Sequence, residues 1–293
     1  MKRTITVIFA LFLMLTFFIG CGKNKTITVG AKDYTEQDVL GNILTLLLQN
    51  NTGLDIRYKH EMSSNVIFEA VKSGDVDVYI DYTGTIYGNY LNYSEMKSAA
   101  EVYDITVREM ADKFNLRVLE PLGFNNTYCL AVRPDTAKQY NLKTFSDLAK
   151  VSSGLIFGGG FEILNRNDGI PNLKKVYTMS FLEEKAIDGV LRYIAIQNNE
   201  TQVTEAFSTD GMLLNYDLVV LEDDKNFFPP YQAVPVIRKE TAREYPQIVD
   251  ELKKLTNFIS DDAMRELNYK VDVQKQHPNT VAAEFLKQAR LIK

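Results

Sequence analysis

Val76-Asp77-Val78-Tyr79-Ile80-Asp81-Tyr82-Thr83-Gly84-Thr85 joins an apolar, β-branched run to a polar turn. The run 76–80 reads as a strand, and the turn leads into a helix. Just upstream, 64–71 is a helical pattern that Ser64 can cap and Gly74 can end, and 55–59 reads as a strand. At the start of this block, Thr26-Ile27-Thr28-Val29 alternates as a first strand. Val39, Leu40, Ile43, Leu44, Leu46 and Leu47 then share one helical face. Downstream the theme repeats. Ser94 caps an amphipathic segment reaching about residue 114, and strands fit 116–119, 127–132, 155–157, 203–206, 218–221 and 233–237. Helical patterns start at Thr144 and run over 187–196, and three more begin near Thr241, Ser260 and Pro278. Strands alternating with helices predict an α/β protein with mostly parallel sheets. No long linker divides the chain. Two α/β halves joined by extended crossovers near Val132 and Ala233 fit best. That division puts 26–132 with 233–293 in one lobe and 133–232 in the other, with a ligand cleft between them.

Composition narrows the functions available. The 293 residues carry 33 Lys+Arg against 38 Asp+Glu, a net charge of −5, with no long basic run. A nucleic-acid partner would want a basic stripe, so none is expected. With 45% hydrophobic and 24% charged residues, the chain is of ordinary globular composition and not disordered. Only two histidines are present, His60 and His277. His60-Glu61-Met62-Ser63-Ser64 begins like a zinc-protease motif but lacks the second histidine, so no metal is expected.

Residues 1–20 read as an export address. Lys2 and Arg3 precede an uncharged apolar run, 5–19, and Gly20-Cys21 follows. A cysteine after that small residue resembles the lipobox of bacterial lipoproteins, in which the cysteine is lipidated and becomes the new N-terminus. Phe18 stands where the box usually has Leu. An uncleaved anchor is the alternative, but the run is short of the ~20 residues that span a bilayer. Removal of 1–20 takes two positive charges and no acid, moving the net charge from −5 to −7. Residues 21–25 then form a tether from lipidated Cys21. Cys129, in the apolar strand Tyr128-Cys129-Leu130-Ala131-Val132, is left as the one free thiol and reads as a small buried hydrophobe.

Enzyme signatures are scarce. No G-x-S-x-G occurs, two histidines leave little for acid–base work, and Gly158-Gly159-Gly160 lacks both dinucleotide spacing and a P-loop lysine. No catalytic residue and no cofactor is therefore expected. Aromatic residues do stand at segment ends: Tyr82 after a strand, Tyr128 opening another, Phe207 before Ser208-Thr209-Asp210-Gly211, and Tyr231 after a double proline. Converging on one cleft, such rings would present negative π-faces to a weakly hydrated cation, each contributing about 0.5–2 kcal/mol. Hydrogen bonds to a charged group add about 1.5–3 kcal/mol each. Together they can reach the ~8 kcal/mol of a micromolar complex. Taken alone, aromatics at strand ends are more often packing residues.

Six short stretches in order carry a resemblance over nearly the whole chain from Thr26. They are Val29-Gly30-Ala31-Lys32-Asp33-Tyr34-Thr35-Glu36-Gln37, Asp81-Tyr82-Thr83-Gly84-Thr85, and Gly123-Phe124-Asn125-Asn126-Thr127-Tyr128. Then come Ser208-Thr209-Asp210-Gly211, Val220-Leu221-Glu222-Asp223-Asp224-Lys225 with Phe227-Phe228-Pro229-Pro230-Tyr231, and Glu266-Leu267-Asn268-Tyr269-Lys270-Val271-Asp272. The sequence resembles the substrate-binding lipoproteins of bacterial ABC importers for glycine betaine, carnitine and choline. The resemblance implies a two-lobed, periplasmic-binding-protein-like (type II) fold that closes on its ligand. It also implies a permease and an ATPase as partners, and a place on the outer face of the cell membrane, held by lipid on Cys21.

The family's aromatic cage falls on Tyr82, Tyr128, Phe207 and Tyr231, with Phe207 where the family usually has Tyr. The residues that hold a betaine carboxylate fall on Lys32, Thr85 and Arg166. Read without the resemblance, Lys32 and Arg166 are solvated surface charges and Thr85 is a helix-start residue. Asn126 stands where some members have Asp, and Tyr34, where Phe is common, is a further candidate for the cleft. Choline-selective relatives replace the position of Thr85 with an acid, so the retained Thr85 favours betaine-type zwitterions. The alternatives are a choline-selective receptor, a two-lobed enzyme, and an adhesion or sensing lipoprotein with a degenerate cleft.

Overall fold

The computed structural model describes residues 26–95, 97–165, 169–187 and 189–293. Among the described residues, ten strands form two sheets: β1 (Ile27–Lys32), β2 (Ile56–Met62), β3 (Val78–Tyr82), β4 (Leu116–Val118), β5 (Tyr128–Val132), β6 (Ile156–Gly159), β7 (Glu183–Ala186), β8 (Val203–Phe207), β9 (Val219–Leu221) and β10 (Ala233–Arg238). The first sheet has the order β2-β1-β3-β10-β4 and the second β7-β6-β8-β5-β9. In each, one strand runs against its two neighbours, β10 against β3 and β4, and β5 against β8 and β9. The remaining strands are parallel to one another, as alternating strand and helix require.

Side-chain alternation along β3 sends Val78, Ile80 and Tyr82 to one face and Tyr79 to the other. On the first face lies the helix Thr35–Thr52, whose Leu40, Ile43, Leu44 and Leu47 are fully buried. Gly53, at φ 68°, ends it in the left-handed conformation that glycine adopts without a Cβ penalty. Ile67 and Val71 of the helix Ser64–Ser73 and Met110 of the helix Ala99–Phe114 cover the opposite face. A separate core centred on Phe145, Phe157, Leu173 and Val203 fills the second half. Each sheet is therefore covered and carries its own core, which makes two lobes.

The crossovers run through 119–127 and 222–232 and touch, with Asn125 bridged to Gln232 and the Asn126 N–H donating to the Tyr231 carbonyl at 3.1 Å. The strand 128–132, expected to close the first lobe, belongs to the second sheet, where Tyr128 pairs with Phe207 and Leu130 with Leu221. The first crossover thus precedes Tyr128. The reversed direction of β5 explains the difference: a chain entering a new sheet beside β8 can pair antiparallel at once, and its apolar sequence suits either sheet. The chain re-enters the first sheet at Ala233, the first residue of β10.

The helix Ala99–Phe114 begins at Ser98, whose side chain and that of Glu101 form a reciprocal capping box, and not at Ser94. The C-terminal helices Asp261–Asp272 and Pro278–Gln288 return to pack on Thr35–Thr52. Gly211 lies against the first of them so closely that a Cβ there would meet the Tyr269 nitrogen at 2.5 Å. That contact ties the turn after β8, in the second lobe, to a helix of the first.

Candidate functional site

Open α/β sheets bind ligands beyond the carboxyl ends of their parallel strands. Here β1 ends into Tyr34, Thr35 and Glu36, β3 ends at Tyr82 and turns through Thr83–Thr85, and β8 ends at Phe207. The reversed strands supply the rest. An antiparallel neighbour starts where its partners finish, so Tyr128, opening β5, sits opposite Phe207, while Tyr231 precedes Ala233, which pairs with Tyr82. Strand-end aromatics scattered through the sequence are thereby brought to one edge of each sheet.

The two edges enclose a cavity of about 530 Å³, within the range of small-molecule sites. Tyr82, Tyr128, Phe207 and Tyr231 all line it, as do Thr85, Asn126 and Tyr34. Tyr128 and Phe207 stack with centroids 4.8 Å apart and Phe228 backs Tyr128 at 5.7 Å. Phe207 keeps 41% of its surface exposed, so its face is open, whereas Tyr82 is buried at 3%. Gly84 lets Tyr231 approach, because a Cβ at Gly84 would fall 2.8 Å from that ring.

Lys32 takes a different position from a solvated charge. It is 2% exposed and its Nζ lies 2.5 Å from Asp81 Oδ1. Pairing is what a buried ammonium requires. The same nitrogen stands 5.3 Å from the centroid of the Tyr82 ring, and Lys32 is not among the residues of the cavity wall. Arg166 and Cys21 lie outside the described residues.

Sequence reasoning missed the acidic part of the wall. Glu36, Asp210 and Asp272 line the cavity, with Thr35, Thr209 and Asn268. Glu36 is 3% exposed. Its Oε1 accepts from the Tyr82 hydroxyl at 2.6 Å and from Asn126 Nδ2 at 2.9 Å, and its Oε2 accepts from Asn268 Nδ2 at 3.0 Å. Burial raises the Glu36 pKa, and the hydrogen bonds from its neighbours work against that rise. Asp272 accepts from the Thr35 hydroxyl at 2.6 Å, and burial raises its pKa too. Asp210 accepts from the Tyr193 hydroxyl, and Arg192 lies 3.7 Å away. Glu36 reads in the sequence as an acid in the first turn of a helix, and Asn268 as one residue of an amphipathic helix. Neither pattern signals that the two meet.

A sequence model of the substrate-binding domain of ABC-type glycine betaine transport systems matches residues 25–288. The chain belongs to that family. Its members are binding components of transporters, which is not an enzyme class.

The chain is 34% identical to the carnitine transport binding protein OpuCC of Listeria monocytogenes, over 98% of this chain and 97% of that one. It is 38% identical to a Helicobacter pylori protein named ergothioneine transport permease/ergothioneine binding protein EgtU. That match covers 92% of this chain but only 48% of the relative, so the chain spans about half that protein's length. Among solved structures, one titled as a glycine betaine/carnitine/choline ABC transporter superposes with a TM-score of 0.87 at 34% identity. It covers 91% of this chain and all of its own. A choline-binding protein at 18% identity and TM-score 0.55 shares the fold. The fold is accordingly the two-lobed, periplasmic-binding-protein-like one.

Proposed function

We propose that this family member is a lipid-anchored receptor that captures a trimethylammonium zwitterion such as glycine betaine or carnitine. In this reading it delivers the ligand to a permease and its ATPase. The observation that carries it is the meeting of Tyr82 at the end of β3 and Tyr231 of the second crossover with Tyr128 and Phe207 of the second sheet around one cavity. Four π-faces at about 0.5–2 kcal/mol each favour a cation that water holds weakly. Thr85 in the cavity wall, with Arg166 by resemblance, is the proposed anchor for the acidic end. Lys32 acts behind Tyr82 in this account, its charge already matched by Asp81. Anchoring through Cys21 rests on the N-terminal sequence. Closure of the lobes about the two crossovers buries the ligand.

A second reading, a longer betaine whose tail carries N–H donors, is favoured by the carboxylates of Glu36, Asp210 and Asp272 in the wall. The named activity of the Helicobacter relative belongs to this class, since ergothioneine is a trimethylated betaine with an imidazole-type ring. Calorimetry on the soluble form lacking residues 1–21 tests both. Glycine betaine, carnitine, choline and ergothioneine are titrated in turn. Saturable binding of at least one zwitterion is expected, the tightest one separates the two readings, and no heat with any of the four overturns them.

A further inference from the structure

Glu36 is the point where the cavity, the hinge and the contact between lobes meet. Its carboxylate takes hydrogen bonds from Tyr82, Asn126 and Asn268 and from the Thr209 side chain, all neutral groups. Tyr82 at the end of β3 is a ring of the cavity. Asn126 sits in the first crossover. Asn268 lies on the helix Asp261–Asp272, and the same amide nitrogen also donates to the Thr209 carbonyl of the second lobe at 2.9 Å. With both amide nitrogens turned to Glu36, the amide oxygens of Asn126 and Asn268 are left without hydrogen-bond partners among the described residues. Nearby, Lys32 is held by Asp81, and Arg265 is committed to the Ser208 carbonyl and to Asp262.

A buried carboxylate with only neutral partners keeps its negative field, and that field reaches the cavity it lines. We propose that Glu36 is the counter-charge for the ligand's cation and the positioning residue that holds Tyr82, Asn126 and Asn268 in their binding arrangement. This rests on the quaternary-ammonium reading above. It adds that affinity depends on the ionised state of one acid outside the aromatic cage. A neighbouring cation lowers a carboxyl's pKa. Ligand binding therefore favours ionised Glu36, and affinity falls as the pH drops through the range in which Glu36 takes up a proton. The raised pKa that burial gives the free protein brings this range nearer to neutrality. The other titratable groups of the wall are the Tyr34, Tyr82, Tyr128 and Tyr231 phenols and the acids Asp272 and Asp210, the latter facing Arg192, while the Lys32–Asp81 pair stands behind Tyr82. Asp272 is also raised by burial, and any loss on acidification that it causes would persist in Glu36→Gln.

The test measures glycine betaine affinity by calorimetry at about pH 7.5 and about pH 5, a range over which the ligand's own carboxylate stays ionised. Wild type should weaken on acidification. Glu36→Gln should bind about tenfold or more weakly at the higher pH, the order expected for loss of a charged partner, and should show no further loss on acidification. Glu36→Asp should restore part of the pH dependence. Glu36→Gln within twofold of wild type, or with the wild-type profile, overturns the proposal. If Glu36→Gln does not fold, an unchanged wild-type affinity between the two pH values overturns it. Tyr231→Ala separates the two layers of the argument. Loss there with an indifferent Glu36→Gln leaves the cage reading standing and removes the role of Glu36. No binding by wild type removes both.

Discussion

Tyr128 and Phe207 stand opposite each other in the β5–β8 ladder, with ring centroids 4.8 Å apart and planes 29° from parallel. Opposed aromatic pairs on one sheet face stabilise each other by about 0.5–1.5 kcal/mol, so each ring orients the other at the cavity's edge. Phe207→Ala is expected to weaken a trimethylammonium ligand by roughly 0.5–2 kcal/mol, one cation–π contact. Phe207→Tyr, which keeps the π-face, should bind like wild type. Calorimetry on the two variants checks this, and an equal loss in both would assign the effect to shape and not to the ring.

The Lys32–Asp81 pair gives a stability prediction. Both groups are buried, at 2% and 0% exposure, and Asp81 Oδ1 also accepts from the Tyr82 N–H at 2.8 Å. Lys32→Met leaves Asp81 without its counter-ion and should cost about 3–5 kcal/mol. Adding Asp81→Asn should recover a large part of that loss. Urea unfolding of the single and double variants measures it, and a single variant as stable as wild type would show that the pair contributes nothing.

Gly84 and Gly154 form a matched pair of substitutions. A Cβ at Gly84 would meet the Pro230 carbonyl at 2.7 Å and the Tyr231 ring at 2.8 Å, whereas one at Gly154 meets nothing within 4 Å. Gly84→Ala is therefore expected to displace Tyr231, with about 1–3 kcal/mol of strain and weaker ligand binding. Gly154→Ala should lie within about 0.5 kcal/mol of wild type in both stability and affinity. Thermal melts and titrations of the two variants provide the comparison.

Cys129 is buried at 5% exposure, and burial pushes its thiol pKa up to about 12. In the soluble form lacking residues 1–21 it is the one thiol. A disulfide reagent at mildly alkaline pH should leave the native protein unlabelled, because little thiolate exists and access is closed. One equivalent should react on unfolding in denaturant. Rapid labelling of the native state would contradict this burial.

Most of the fold was legible because its strands carry local signals. The apolar run at 76–80 and the alternation at 26–29 specify β3 and β1 without tertiary information. β7 was not legible: Glu183-Glu184-Lys185-Ala186 has no apolar pattern, as suits an exposed strand at the sheet's edge. Nor does an apolar strand such as 128–132 encode which of two sheets it joins. The cavity's rings were legible through family resemblance, since each sits in a matching motif. Glu36 and Asn268, 232 positions apart, were not, because only the return of the C-terminal helix brings them together. Lys32 was not legible as a buried ion, since its partner is set by the register of β1 beside β3.

Recognition of a methylated nitrogen by π-faces is the central claim, and charge is the property that separates it from a merely apolar pocket. The most direct measurement titrates the soluble protein with glycine betaine and with 3,3-dimethylbutanoate, which has the same shape with carbon in place of the charged nitrogen. The account predicts binding of the betaine and at least about tenfold weaker binding of the carbon analogue, the order of two desolvated cation–π contacts. Equal affinity for the two would contradict it.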